Sequence, residues 1–182
     1  MLPFVKCNLQ LDVSQIFQEL DSLTWTRHDH NMPTCIIPTK YKTELNKIFK
    51  LPSDSYMVIH NLEPLHKMSP DEIPYLARWH IDTHRESAIL IPISIDNSNH
   101  YTEFMVDKKV IKVPYSRGVP LLFNVKEVHK VTNTDPVLPR NIIAIGLPNT
   151  KFADLVSLYE ADQLIDQSCF SDNLFNSVIT NV

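Results

Sequence analysis

Two hydrophobic periods divide the chain. Near the start Val13, Ile16, Phe17 and Leu20 recur at helical spacing, with Asp12 placed to cap a short helix from Val13 to Leu20. Leu45, Ile48 and Phe49 share one side of a second short helix, Lys42 to Lys50, which Pro52-Ser53-Asp54 closes. Between them Asp21 to Pro33 is polar around Trp25 and reads as a loop, followed by a short strand, Thr34 to Pro38. From Tyr56 the period falls from about four to about two. Strands are expected over Tyr56 to Leu62, Ala77 to Asp82, Ser87 to Ile95, Tyr101 to Asp107, Val110 to Tyr115, Val119 to Val125, Val128 to Asn133 and Asn141 to Leu147. Asp107-Lys108-Lys109 marks a tight hairpin. After Pro148 the helical period returns in Phe152, Leu155, Val156, Leu158 and Tyr159, giving a helix over about Lys151 to Ile165.

Short strands in series without intervening helices predict a mainly β fold, an antiparallel sandwich or barrel with the jelly roll among them, flanked by N- and C-terminal helices. A length of 182 residues suits one domain. Its parts are an N-terminal helical and loop elaboration (1–55), a strand-rich core (56–147) and a C-terminal helix and tail (148–182). With 43% hydrophobic residues the chain has enough apolar surface for a core.

Charge and cysteine narrow the function. Net charge is −4 and no Lys/Arg-rich block occurs, so neither nucleic acid nor an anionic membrane is an expected partner. No apolar run approaches the roughly 18 residues that span a bilayer, and the N-terminal residues lack the apolar core of a signal peptide. Cys7, Cys35 and Cys169 are odd in number and far apart, which fits free thiols in a reducing, cytoplasmic setting. The two glycines, Gly118 and Gly146, stand alone, so a Gly-rich phosphate loop is excluded.

The candidate chemistry lies in Arg78 to Glu86 and around His129 and Arg140. In an extended segment residues i and i+2 face the same side, so His80 and Asp82 offer an imidazole and a carboxylate together. One distant histidine, His129, completes a two-nitrogen, one-oxygen set suited to non-haem Fe(II) with open coordination positions. Arg140, at the start of the next strand, suits bidentate capture of a carboxylate. Asn124 and Asn133 bracket His129 as candidates to orient it or touch substrate. Trp25, Arg27 and His28, in the long early loop, are candidates for a substrate mouth. A zinc site from His80 and His84 would need a helix with Glu after the first histidine; Ile81 stands there in a β-branched setting. His28 and His30 form a second H-x-H without a flanking apolar strand, and His60, His66 and His100 stand alone.

His-Ile-Asp at 80–82, the Ile-Leu-Ile-Pro-Ile strand, Gly118 before Leu-Leu-Phe-Asn, His-Lys-Val-Thr-Asn from His129 and Pro-Arg-Asn-Ile-Ile-Ala-Ile around Arg140 together resemble the 2-oxoglutarate/Fe(II)-dependent oxygenases. The aspartyl/asparaginyl β-hydroxylase-like branch is the most similar, and the resemblance spans roughly Tyr75 to Leu147. It implies a double-stranded β-helix (a cupin-like jelly roll) with Fe(II) on His80, Asp82 and His129, and 2-oxoglutarate held by Arg140. It further implies a dioxygenase that uses O₂ to hydroxylate a small polar molecule, an amino acid or a peptide side chain, releasing succinate and CO₂. The contrasting expectation is a non-catalytic jelly-roll binding or structural module. A cupin-type isomerase or dioxygenase would call for a third histidine and a Glu on neighbouring strands, and that set does not assemble here.

Overall fold

The computed structural model describes residues 2–27, 33–94, 99–166, 168, 178 and 179. In chain order its elements are β1 (Phe4–Lys6), β2 (Leu9–Gln10), α1 (Ser14–Glu19), β3 (Thr26–Arg27), β4 (Pro33–Ile36), α2 (Thr39–Ile48) and β5 (Tyr56–Leu62). There follow β6 (Ser87–Pro92), β7 (His100–Val106), β8 (Lys109–Pro114), β9 (Leu121–Phe123), β10 (His129–Asn133), β11 (Arg140–Leu147), α3 (Phe152–Glu160) and β12 (Val178–Ile179). Among the described residues, seven strands form a major sheet in the order β1-β9-β6-β11-β5-β4-β3 and three form a minor sheet in the order β10-β7-β8. All their pairings are antiparallel. This is the jelly-roll architecture expected from the period-two segments.

The two faces of the major sheet explain the sequence pattern. On the inner face Ala88, Leu90, Leu121, Phe123, Ile142 and Ala144 pack against Phe104, Val113 and Tyr115 of the minor-sheet side. On the outer face Ile59, Ile89, Ile91, Ile143 and Ile145 pack against Ile16 of α1, Tyr41, Leu45 and Ile48 of α2, and Phe152, Leu155 and Val156 of α3. β6 and β11 are therefore buried throughout, and a strand covered on both faces carries a continuous apolar run instead of an alternating one. β8, at the edge of the minor sheet, alternates with solvent and keeps Lys109 and Lys112.

The hairpin between β7 and β8 turns on Asp107 and Lys108, both at positive φ (49° and 63°), which is the geometry a two-residue loop requires. Asp12 accepts a hydrogen bond from the Ser14 amide at 2.9 Å, but α1 starts one residue later than expected and its N-cap is Val13, not Asp12. Gly118 sits at φ +72°, where the Leu11 amide donates to its carbonyl at 2.8 Å. A Cβ there would lie 2.0 Å from the Leu11 carbonyl oxygen. One expected strand is absent: Ala77 to Asp82 does not form one. Tyr75–Ala77 is a 3₁₀ turn, and the segment's backbone pairs with β10 through a two-way bridge between His80 and His129. Pro74 opens that turn and withholds an amide from any ladder.

Candidate metal centre

His80 and His129 face each other across that bridge. Each amide donates to the other's carbonyl at 2.9 Å, and their ring centroids lie 4.3 Å apart. The Asp82 amide donates to the Val125 carbonyl at 3.0 Å, so the segment stays extended for two residues beyond the bridge. The i, i+2 relation therefore holds without a regular strand, and Asp82 Oδ1 comes 3.5 Å from His80 Nε2. One donor atom from each of His80, Asp82 and His129 lies within 4.8 Å of the others, and all three residues are 4% exposed.

The hydrogen bonds around the rings suit metal ligation. His80 Nδ1 is 2.7 Å from the Arg78 carbonyl oxygen and His129 Nδ1 is 2.8 Å from that of Glu127. In both cases a proton on Nδ1 donates to a main-chain oxygen two residues back and leaves Nε2 as the lone-pair nitrogen. His80 Nε2 is buried without a hydrogen-bond partner. Burial lowers the His129 pKa to about 4, and the neighbouring His80 adds to the shift, so its imidazole is neutral at neutral pH. Burial by itself raises the Asp82 carboxyl. The nearby His80 ring and the Arg85 guanidinium outweigh it, and the net pKa falls well below the usual carboxylate range. Two lone-pair nitrogens and one charged oxygen at this spacing fit a divalent cation.

Arg140, the first residue of β11, is 3% exposed and faces the same small cavity as His129, His60 and Thr102. Its Nη2 donates to the Tyr115 hydroxyl at 2.6 Å and its guanidinium lies 4.8 Å from the Tyr115 ring centroid, while Nε has no partner. Tyr115 in turn hydrogen-bonds Thr102 Oγ1. His100 is buried nearby. Burial holds its pKa below the ordinary value against the pull of the Leu138 backbone, and the Arg140 charge acts in the same direction as burial.

The remaining candidates fall elsewhere. Asn133 is fully buried, but its Nδ2 donates to the Leu62 and Leu138 carbonyls at 2.8 and 3.0 Å and its Oδ1 accepts from the Asp135 amide at 2.9 Å. It clamps the turn that delivers Arg140. Asn124 accepts from the Lys126 amide at 3.2 Å, a turn contact before His129. Trp25 packs against the core on the outer face of the major sheet, with Nε1 donating to the Leu20 carbonyl at 3.2 Å. It is on the other side of that sheet from the triad. The backbone of Arg27, in β3, pairs with Pro33 of β4, whereas its side chain and His28 lie outside the described residues. His84 approaches the Tyr56 ring at 6.1 Å and stands outside the ligand cluster.

Sequence reasoning passed over Arg85, Tyr115 and Thr102. Arg85 Nε donates to Asp82 Oδ2 at 2.5 Å, and both side chains are buried. Only its position three residues after Asp82 hinted at the contact. Thr102 belongs to β7, which alternates normally, and Tyr115 directly follows β8; no local signal marks either as the neighbour of a distant arginine.

No protein-family model and no curated protein sequence matches the chain. Among solved structures it superposes on the non-haem α-ketoglutarate-dependent epimerase SnoN from nogalamycin biosynthesis with a TM-score of 0.51. That match covers 79% of this chain and 76% of SnoN at 9% identity. HygX from Streptomyces hygroscopicus, crystallised with nickel, 2-oxoglutarate and hygromycin B, gives 0.48 at 10% identity over 82% of this chain and 84% of its own. NgTET1 in complex with 5mC DNA gives 0.39 at 22% identity over 52% of this chain and 35% of NgTET1. At 9% identity, what this chain shares with SnoN is the fold. No helix among the described residues is long and apolar enough to cross a membrane.

Proposed function

We propose that this chain is an Fe(II)- and 2-oxoglutarate-dependent dioxygenase that hydroxylates a small polar molecule, an amino acid or a peptide side chain. The observation that carries the reading is the meeting of His80 Nε2, Asp82 and His129 in a buried cluster on the fold seen in SnoN, with Arg140 facing the same cavity as His129. His80, Asp82 and His129 hold the metal. Arg140 pairs with the distal carboxylate of 2-oxoglutarate, and Tyr115 and Thr102 keep its guanidinium aimed into the cavity. Bound there, Fe(II) supplies the oxidative decarboxylation of 2-oxoglutarate by O₂ and the oxidation of a substrate C–H bond, with succinate and CO₂ as co-products. The backbone acceptors on both Nδ1 atoms fix the imidazole rings, Phe123 and Val125 line the cavity, and the Phe104 ring lies 5.5 Å from that of His129. Within this reading, the motif order resembles that of the aspartyl/asparaginyl β-hydroxylase-like branch. Cys7 and Cys35, free thiols among the described residues, suit a single-domain cytoplasmic enzyme.

Anaerobic addition of Fe(II) and then 2-oxoglutarate to the purified protein tests this. A charge-transfer band in the visible should develop, and admission of O₂ should release succinate even without the physiological substrate. His129→Ala should abolish metal binding, and Arg140→Ala should weaken 2-oxoglutarate while sparing the metal. Tight metal binding by His129→Ala removes that residue from the centre. A protein that neither binds Fe(II) nor forms succinate is a jelly-roll binding module.

A further inference from the structure

The two oxygens of Asp82 have different partners. Oδ1 faces His80 Nε2 at 3.5 Å, on the side of the donor cluster, while Oδ2 accepts from Arg85 Nε at 2.5 Å. Arg85 is built in, at 7% exposure. It sits on the turn between Asp82 and β6, and that turn is pinned at its far end by the Glu86 amide donating to the Leu147 carbonyl at 3.0 Å. On its near side Lys126 Nζ donates to the Asp82 carbonyl at 3.1 Å and pairs with Glu86 at 3.1 Å. Behind the guanidinium lies Tyr56, whose hydroxyl is buried and feels the Arg85 charge. Tyr56 reaches this place because its partner in the β5–β11 register is Gly146, where a Cβ would stand 2.2 Å from the ring. An isolated glycine in a fully buried strand thus makes room for the ring that backs Arg85.

A carboxylate free on both sides can chelate a cation with both oxygens and consume a coordination position. A co-substrate that binds through two atoms, together with O₂, needs every position the protein leaves open. We infer that Arg85 is a positioning residue: it occupies Oδ2 and so confines Asp82 to one metal-directed oxygen. The inference rests on the metal-centre reading above. The contact is made by Nε, not by the tips of the guanidinium, so its chemistry is that of a hydrogen-bond donor at one fixed place on the side chain.

Two substitutions of equal length isolate that donor. Arg85→Gln puts an amide nitrogen where Nε stands, and Arg85→Met puts a methyl carbon there; neither carries charge. The readout is the number of exchangeable waters on bound Mn(II), from water-proton relaxation, without 2-oxoglutarate or turnover. Wild type should show about three, as three protein donors leave half an octahedron open. Arg85→Gln should also show about three, and Arg85→Met about two as Oδ2 joins the metal. Equal counts in wild type and Arg85→Met overturn the inference, as does an Arg85→Gln variant that follows Arg85→Met, which would make the charge the operative feature. A wild-type count already near two overturns it even if Arg85→Met does not fold. Failure of wild type to bind Mn(II) at all removes the metal centre itself, a result distinct from the others.

Discussion

Arg140 is held from one side and open on the other. Tyr115 receives its Nη2 hydrogen bond at 2.6 Å and lies under its cation, while Nε is buried with no partner. A buried guanidinium with part of its donor fork unused is costly unless an anion completes it. That makes Tyr115 the residue whose loss should be read by a carboxylate ligand and not by the metal. Tyr115→Phe deletes one hydrogen bond to a charged group, a contribution of about 1.5–3 kcal/mol. Some of it is recovered by relaxation, so the 2-oxoglutarate dissociation constant should rise roughly tenfold, equivalent to about 1.4 kcal/mol. Titration of 2-oxoglutarate into Ni(II)-loaded protein measures it, with Ni(II) affinity as the internal control. An unchanged constant would mean that Arg140 does not face the ligand from the Tyr115 side.

At the level of elements, what could be read from the sequence follows from how each strand is covered. β5, β7 and β10 declare themselves by alternation or β-branched content because one face meets a core. β6 and β11 declare themselves by unbroken apolar runs because both faces do. β1, β2, β3 and β12 are strands of two or three residues whose existence depends on a distant partner, and no window of that length carries a period. The His80/Asp82 pair was legible even though its strand is missing, since a single bridge to His129 supplies the same alternation. Arg85 was not, because an i, i+3 contact across an irregular turn has no spacing rule. Gly118 shows how tightly these connections are set. It joins the N-terminal segment to the barrel through Leu11 and also donates its amide to the Pro92 carbonyl at 2.8 Å, at a φ that side chains resist. Gly118→Ala adds a left-handed penalty of about 1–2 kcal/mol and a clash with the Leu11 carbonyl. Together they should lower the unfolding free energy by roughly 2–4 kcal/mol in urea titrations. A loss below about 0.5 kcal/mol, the range of neutral surface changes, would show that the Leu11 contact yields freely.

Across the whole molecule, the charged and titratable groups of the candidate centre are enclosed by the sandwich, with an apolar core on either side of the major sheet. Enclosure has a consequence for folding that is independent of any reaction. Burial lowers the His129 pKa from 6.5 to about 4, so between those values the unfolded chain takes up a proton that the folded chain refuses. Unfolding therefore gains as pH falls through that window, and the stability present above about pH 6.5 is progressively lost toward about pH 4. Asp82 acts in the same direction lower down. Its pKa is depressed from 3.8, so the unfolded carboxylate protonates first and a further loss sets in as pH drops through and below that value. Urea denaturation of the metal-free protein in chelator should give a midpoint that falls steadily from pH 7 to pH 4. His129→Asn replaces the imidazole with an amide that does not titrate in this range, so its midpoint should fall less steeply between pH 6.5 and pH 4.5. Histidines other than His80, which touches His129, contribute equally to both proteins, so the difference between the two slopes reports residue 129 with its coupling to His80. Parallel slopes would show that His129 protonates inside the fold as easily as outside it, and would mean that water reaches the centre freely in the absence of metal.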